Sequence, residues 1–107
     1  MSNYRRGADF ERTVQDDLED KGYLVIRAAG SHGIMDLVAF TLRERFAPPL
    51  FIQCKTNGKM SPKERRDLWE VAHICGAVPI KASRPKRGAI LFERWYRGSK
   101  KFGEIEL

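Results

Sequence analysis

Long apolar runs and paired cysteines are both missing from this sequence. No apolar run approaches the roughly 20 residues that a membrane-spanning helix needs, and the opening MSNYRRGADF lacks the apolar core of a signal peptide. The two cysteines, Cys54 and Cys75, lie far apart in the sequence and form no CxxC pair, which argues against a zinc centre or a disulfide framework. We therefore expect a cytoplasmic protein that contacts no membrane.

The length and the charge distribution are informative. The 107 residues suffice for one core, so we expect a single domain spanning residues 1–107. Net charge is +6, and residues 1–75 hold 12 Lys and Arg against 11 Asp and Glu, whereas residues 76–107 hold 8 against 3. This basic C-terminal third indicates a polyanionic partner such as a nucleic acid. Solubility alone is the alternative explanation of the excess charge.

Apolar periodicity and turn residues predict the element order α-β-β-β-α-β-β. An α/β fold with a central mixed sheet flanked by helices follows from this order. Pro79 predicts that the fourth strand is an edge or bulged strand, because proline cannot donate a ladder hydrogen bond. The predicted strands cover residues 23–29, 37–40, 50–55, 77–82 and 88–95.

Two helices are predicted from clear local signals. The first, residues 8–20, has one apolar stripe with a spacing of four residues. The stripe comprises Phe10, Val14 and Leu18. The second, residues 61–75, begins at a capping box of Ser61 and Glu64 and ends before Gly76.

The stretch from residue 30 to residue 55 carries the strongest candidate site. Gln53 and Lys55 are two residues apart on a predicted strand, so their side chains emerge on one face. If the two strands of this stretch pair, Asp36 approaches both of them. A carboxylate, an amide oxygen and a lysine together can hold a hard cation and stabilise charge on a phosphoryl group. Because the pattern is short, a solvated strand end is the alternative.

The same residues resemble a known nuclease motif. Gly33-Ile34-Met35-Asp36 followed by Gln53-Cys54-Lys55 resembles the PD-(D/E)XK motif, and the chain as a whole resembles the archaeal-type Holliday-junction resolvases, including versions carried by phages. Met35 replaces the proline of the motif, and Gln53 replaces its second acid. Glutamine keeps an oxygen ligand at that position but removes a charge. The wider resemblance comprises Arg6-Gly7-x-x-Phe10-Glu11-Arg12, Lys21-Gly22-Tyr23-x-Val25-x-Arg27, Ser31, Asp36 and Gln53-x-Lys55.

The resemblance implies a restriction-endonuclease-like fold and a homodimer that resolves four-way DNA junctions by paired phosphodiester hydrolysis. It implies Mg²⁺ as the cofactor, with Mn²⁺ as an alternative. It also implies a cytoplasmic protein associated with the nucleoid, and in one version the protein is encoded by a phage. Lys55 is implied to support the attacking water, and Ser31 to position the scissile phosphate. The implied catalytic residues are Glu11, Ser31, Asp36, Gln53 and Lys55. The implied metal ligands are Asp36, Gln53, the backbone carbonyl of Cys54, and Glu11. From the sequence alone, Glu11 would be read as a solvated residue.

Basic residues around this stretch are candidate DNA contacts. They are Arg5, Arg6, His32, Lys59, Lys63, Arg66, Arg84, Lys86 and Arg87. Two alternatives to a resolvase stay open at this point. One is another nuclease of the same superfamily, with nicking, flap or duplex-cutting activity. The other is a non-catalytic junction-binding protein, which the replacement at Gln53 favours.

Overall fold

The computed structural model describes residues 3–28, 33–86, 88–96 and 101–107, with side chains described from residue 7 onward. The described residues form two helices and six strands. In chain order these are α1 (Asn3–Asp20), β1 (Tyr23–Arg27), β2 (Leu37–Thr41), β3 (Leu50–Cys54), α2 (Pro62–Cys75), β4 (Val78–Ser83), β5 (Leu91–Trp95) and β6 (Phe102–Glu104). None of the described helices is both long enough and apolar enough to cross a membrane.

The strands form one mixed sheet in the order β1-β2-β3-β4-β5-β6. Neighbouring strands are antiparallel except β3 and β4, which are parallel. A parallel pair requires a crossover connection, and α2 supplies it between β3 and β4. The expected mixed α/β architecture is therefore confirmed.

Each helix covers a different face of the sheet. The apolar stripe of α1 is buried in a cluster that includes Ile52 of β3. On the other face, Leu68 and Ala72 of α2 pack against Phe51 in a separate cluster. Because Phe51 and Ile52 are adjacent on one strand, the alternation of β3 separates the two clusters. The central strand β3 is thus buried from both sides, which fixes the position of its carboxyl end.

The ends of α2 follow the local signals of the sequence. The Ser61 hydroxyl accepts the backbone N–H of Glu64, and the Glu64 carboxylate accepts the backbone N–H of Ser61. Pro62 occupies the first turn of α2, where a backbone N–H has no partner within the helix, so the missing N–H of proline costs no hydrogen bond. Gly76 closes the helix in the left-handed conformation, with φ of 66°, which glycine adopts without strain.

Three expectations need correction. Helix α1 begins at Asn3 rather than at residue 8, because the polar residues before Gly7 are part of the helix. A sixth strand follows the predicted five, and its three residues are too few to show periodicity. The prediction of an edge or bulged strand at Pro79 is wrong, because β4 lies between β3 and β5. Pairing of β4 with β5 begins only at Ile80, so Pro79 lies outside that ladder.

Candidate active site

The amino end of β2 and the carboxyl end of β3 meet at one edge of the sheet. The Asp36 backbone N–H donates to the Ile52 carbonyl at 2.8 Å, which extends the pairing of the two strands by one bond. The Cys54 N–H then donates to the Asp36 Oδ2 at 2.8 Å. The carboxylate of Asp36 is thereby held against the backbone of β3, between the positions of Gln53 and Lys55.

Helix α1 brings Glu11 to the same place. The Arg27 Nη2 donates to the Glu11 Oε2 at 3.1 Å, and Glu11 lies close enough for its charge to act on Asp36. The pKa of Asp36 is raised from 3.8 to about 6, chiefly because burial disfavours the charged carboxylate, and the negative charge of Glu11 contributes to the rise. The Cys54 N–H and the charge of Lys55 oppose this rise. The charged form of Asp36 is therefore less favourable here than it would be in water.

This carboxylate pair fits a divalent metal ion. Magnesium is commonly held by one or two carboxylates and keeps several waters of its own. Within the described ranges no three Cys, His, Asp or Glu side chains converge, so Asp36 and Glu11 are the acidic centre of the site. The neighbouring thiol is not suited to the task, because burial raises the pKa of Cys54 far above its ordinary value.

Gln53 is buried, with 5% of its surface exposed, and its hydrogen bonds fix the orientation of its amide. One end of the amide faces the Gly33 and Ile34 carbonyls, and because carbonyls only accept, the nitrogen is assigned to that end, from which Nε2 donates to them at 3.1 Å and 3.0 Å. The side chain thus ties β3 to the loop that leads into Asp36. A carboxylate could not make these two bonds. The metal-ligand role that the resemblance implies for Gln53 stays a prediction.

Lys55 is held by a residue that the sequence indicated only as a helix cap. The Lys55 Nζ forms an ion pair with the Glu64 Oε2, and the Lys55 backbone N–H donates to the Ala82 carbonyl at 2.9 Å. Hydrogen bonds from the Lys55 ammonium and the Ser61 N–H hold the pKa of Glu64 below its ordinary value. No spacing rule in the sequence joins Lys55 to Glu64, so the contact could not be read from the pattern.

An open cleft of about 890 Å³ lies beside Lys55. Its lining residues are Gly7, Cys54, Lys55, Thr56, Asn57, Arg84 and Pro85. Arg84 is a predicted DNA contact that lines this cleft, and its backbone N–H donates to the Thr56 carbonyl at 3.0 Å. Its guanidinium lies 5.6 Å from the ring centroid of Phe10, which leaves the cleft bordered by a cation.

The other predicted DNA contacts either do not line this cleft or lie outside the described residues. Lys59 is exposed before α2, and the Lys63 Nζ lies 2.7 Å from the Asp67 Oδ2 within the helix. The Arg66 Nε lies 3.9 Å from the Asp67 Oδ1, and Lys86 is exposed in the turn after β4. Ser31, His32 and Arg87, with the side chains of Arg5 and Arg6, lie outside the described residues.

Known proteins resemble the chain in both sequence and fold. Residues 2–97 match the family model described as archaeal Holliday junction resolvase (Hjc). The crossover junction endodeoxyribonuclease Hjc of Methanocaldococcus jannaschii is 36% identical over 83% of this chain, and the chain spans 65% of that relative's length. The solved structure of Archaeoglobus fulgidus Hjc, a Holliday junction resolvase, is 29% identical, with a TM-score of 0.70 over 94% of this chain and 84% of that one.

The pKa of Asp36 predicts that its charge destabilises the metal-free protein. Because the folded value of about 6 exceeds the ordinary 3.8, stability is lost as pH rises from about 4 through 6. Asp36→Asn removes the charge and retains an oxygen for the Cys54 N–H. In EDTA at pH 8 we expect its Tm to rise by a few degrees, the scale of about 1 kcal/mol in a domain of this size. The difference in Tm between Asp36→Asn and the original protein should vanish near pH 4, as measured by thermal unfolding followed by circular dichroism. A Tm of Asp36→Asn below that of the original protein at pH 8 would contradict the argument.

The bonds of Gln53 predict the effect of restoring the acid of the motif. Gln53→Glu loses both donors to the loop and buries a charge, so we expect it to destabilise the metal-free protein by about 1–3 kcal/mol at pH 8. Thermal unfolding in EDTA measures this, with Gln53→Met as a control that loses the donors without adding charge. A Tm at or above that of the original protein would contradict the loop contact. A Mg²⁺ titration of the same variant tests the ligand role, which unchanged affinity would count against.

Proposed function

The chain belongs to the family of archaeal Holliday junction resolvases, and we propose on that basis that it resolves four-way DNA junctions by metal-dependent phosphodiester hydrolysis. The family and the fold that the motifs implied are thus confirmed, and the family implies dependence on a divalent metal. One observation carries the proposal. The Asp36 carboxylate is fixed by the Cys54 N–H at the edge of the sheet, beside Glu11 and between Gln53 and Lys55.

The proposed chemistry assigns each residue one task. Asp36 and Glu11 would hold the metal, for which we propose Mg²⁺ because both ligands are hard oxygens, with Mn²⁺ able to accept the same set. The backbone carbonyl of Cys54 and the side chain of Gln53 complete the ligand set that the resemblance implies. When bound, the metal activates a water and offsets charge on the phosphoryl oxygens. Lys55 orients the attacking water and neutralises negative charge that develops during cleavage.

The proposed DNA path runs along the cleft beside Lys55. Arg84 borders this cleft, and Ser31 is proposed to position the scissile phosphate. Each Lys or Arg that neutralises a phosphate adds affinity that falls with rising salt. The remaining proposed backbone contacts are Arg5, Arg6, His32, Lys59, Lys63, Arg66, Lys86 and Arg87. All of them except His32 are Lys or Arg and contribute to the net charge of +6.

A homodimer is the proposed assembly, because two symmetric nicks require two sites related by a two-fold axis. An apolar surface suited to this purpose lies on β1 and β2. Leu24, Ile26 and Phe40 are 49%, 51% and 39% exposed, and Leu24 pairs with Phe40 across the strands. Since Val25 is buried beneath α1, these side chains emerge on the opposite face, where α2 lies over β3 and β4. We propose that a second copy covers this surface.

A junction-binding protein that does not cut is the second candidate. The position of the second acid is occupied by Gln53, whose amide nitrogen is directed to two backbone carbonyls. The loss of one negative charge weakens the attraction of the site for a divalent cation. Binding of branched DNA through the basic cleft would survive such a loss.

Cleavage of a four-way junction beside the matching linear duplex tests the function. We expect paired symmetric nicks on the junction in Mg²⁺, none in EDTA, and little cutting of the duplex. Asp36→Ala should lower the rate by more than about 100-fold, beyond what loss of an outer-shell partner costs. Asp16→Ala, on the exposed side of α1, is the matched control. Tight junction binding without cutting in Mg²⁺ or Mn²⁺ would establish the junction-binding protein that does not cut. Equal cutting of the junction and the duplex would indicate another kind of nuclease.

The dimer surface is tested by adding one charge to it. Ile26→Lys places an ammonium in the apolar surface, and we expect it to shift the protein from dimer to monomer in sedimentation equilibrium. Gln15→Lys adds the same charge to α1, on the other side of the sheet, and should leave the dimer intact. Paired nicking should be lost with Ile26→Lys while single nicks persist. A dimer that is unchanged by Ile26→Lys would rule out this surface.

A further inference from the structure

We propose that Glu64 is a positioning residue for the catalytic step, and that it holds the Lys55 ammonium at the carboxyl end of β3. The contact joins the first turn of α2 to the motif lysine, nine positions earlier in the chain. The inference rests on the role proposed for Lys55 in cleavage. It goes beyond that role by naming the group that keeps the lysine in place.

The two oxygens of Glu64 have separate partners. The Ser61 N–H donates to Oε1 at 2.9 Å, whereas the Lys55 Nζ contacts Oε2. The Ser61 hydroxyl accepts the Glu64 backbone N–H at 3.1 Å and satisfies the helix end, whereas the carboxylate itself is ordered by the Ser61 backbone N–H. Lys55 therefore meets an acceptor that is already ordered. An ordered acceptor lowers the entropy lost when a long side chain adopts one conformation.

The loop between the two residues is fixed as well. The Gly58 N–H donates to the Lys55 carbonyl at 2.7 Å and forms a tight turn directly after the lysine. The half-buried Lys81 then donates from Nζ to the Gly58 carbonyl at 2.9 Å. Lys81 is itself 3.4 Å from the Glu93 Oε1 on β5. Because this turn is anchored to the sheet, the distance from β3 to the start of α2 is set by the fold.

Without a partner, Lys55 would have no fixed position. Its side chain is 28% exposed at the edge of an open cleft, and four rotatable bonds separate its ammonium from the backbone. A lysine that must orient a water needs the reacting geometry before the substrate arrives, since small displacements cost large factors in rate. The ion pair with Glu64 supplies this order and leaves the remaining ammonium hydrogens for the water or the phosphate.

Two variants separate positioning from helix capping. Glu64→Gln retains an oxygen for the Ser61 N–H but removes the negative charge opposite Lys55. Ser61→Ala removes the hydroxyl half of the capping box and leaves the Glu64 carboxylate and its contact with Lys55. Loss of an N-cap costs about 0.5–2 kcal/mol of stability, so Ser61→Ala should lower Tm at least as much as Glu64→Gln does.

The experiment is single-turnover cleavage of a four-way junction at saturating protein, with junction affinity and Tm measured on the same samples. We expect Glu64→Gln to lower the rate constant about 10- to 100-fold, the usual effect of losing a residue that orients a functional group. Junction affinity should stay within about twofold. Ser61→Ala should keep both the rate constant and the affinity within about twofold despite its lower Tm.

Three results would overturn the inference. An unchanged rate constant for Glu64→Gln would leave the residue as a cap alone. A faster rate would mean that Glu64 restrains Lys55 away from the reaction. Equal rate losses for Glu64→Gln and Ser61→Ala would assign the effect to the start of α2. The Lys55→Ala variant distinguishes these outcomes from a failure of the proposed function. If Lys55→Ala still cuts junctions, the lysine has no role in cleavage, and Glu64 then has no catalytic group to position.

Discussion

The hydrogen bond from the Cys54 N–H to the Asp36 carboxylate is the interaction on which the site depends. It fixes a negative charge at the meeting point of β2 and β3, and a hydrogen bond to a charged group contributes about 1.5–3 kcal/mol. That gain does not offset the burial of the charge, since the pKa of Asp36 is about 6. The fold therefore places an anion where only an added positive charge makes it favourable. This property agrees with the metal-holding role proposed for Asp36.

Among the acids Glu11, Asp36 and Glu64, two have a basic partner and Asp36 does not, within the described residues. Glu11 is paired with Arg27, and Glu64 is paired with Lys55. Asp36 makes no ion pair within the described part of the chain, and its carboxylate accepts the Cys54 backbone N–H. The pairs with Arg27 and Lys55 are partly exposed, so each contributes little to stability. Their value lies in placement, because each holds a functional side chain in one position beside the uncompensated carboxylate.

Local signals predicted the parts of the fold that local physics determines. The capping box at Ser61 and Glu64 is correct to the residue, because a capping box satisfies its own backbone donors and needs no tertiary partner. The approach of Asp36 to the end of β3 also followed from two strands with a short connection. By contrast, Pro79 was assigned to an edge from its missing N–H alone. Its place inside the sheet depends on where β5 stops pairing, which no property of Pro79 encodes.

The contacts that the sequence could not predict are those made across the fold by residues with a local role already assigned. Glu64 fully satisfies a capping pattern, so nothing in the sequence suggests that its second oxygen contacts Lys55. The same is true of Gln53, whose motif position suggests an oxygen ligand, while its nitrogen faces the Gly33 and Ile34 carbonyls. In both cases a side chain with two polar atoms serves two neighbours. A motif records one of these uses, and only the folded geometry shows the second.

The replacement of an acid by Gln53 also has a physical logic within this arrangement. A carboxylate at that position would add a negative charge to a site in which the charge of Glu11 already contributes to the raised pKa of Asp36. An amide adds no charge and donates to the loop that carries Asp36, so it stabilises the geometry of the site without metal. The consequence is a site with one charge fewer to attract a cation. Under the proposed function, such a site gains order in the metal-free state and relies more strongly on Asp36 and Glu11 to hold the metal.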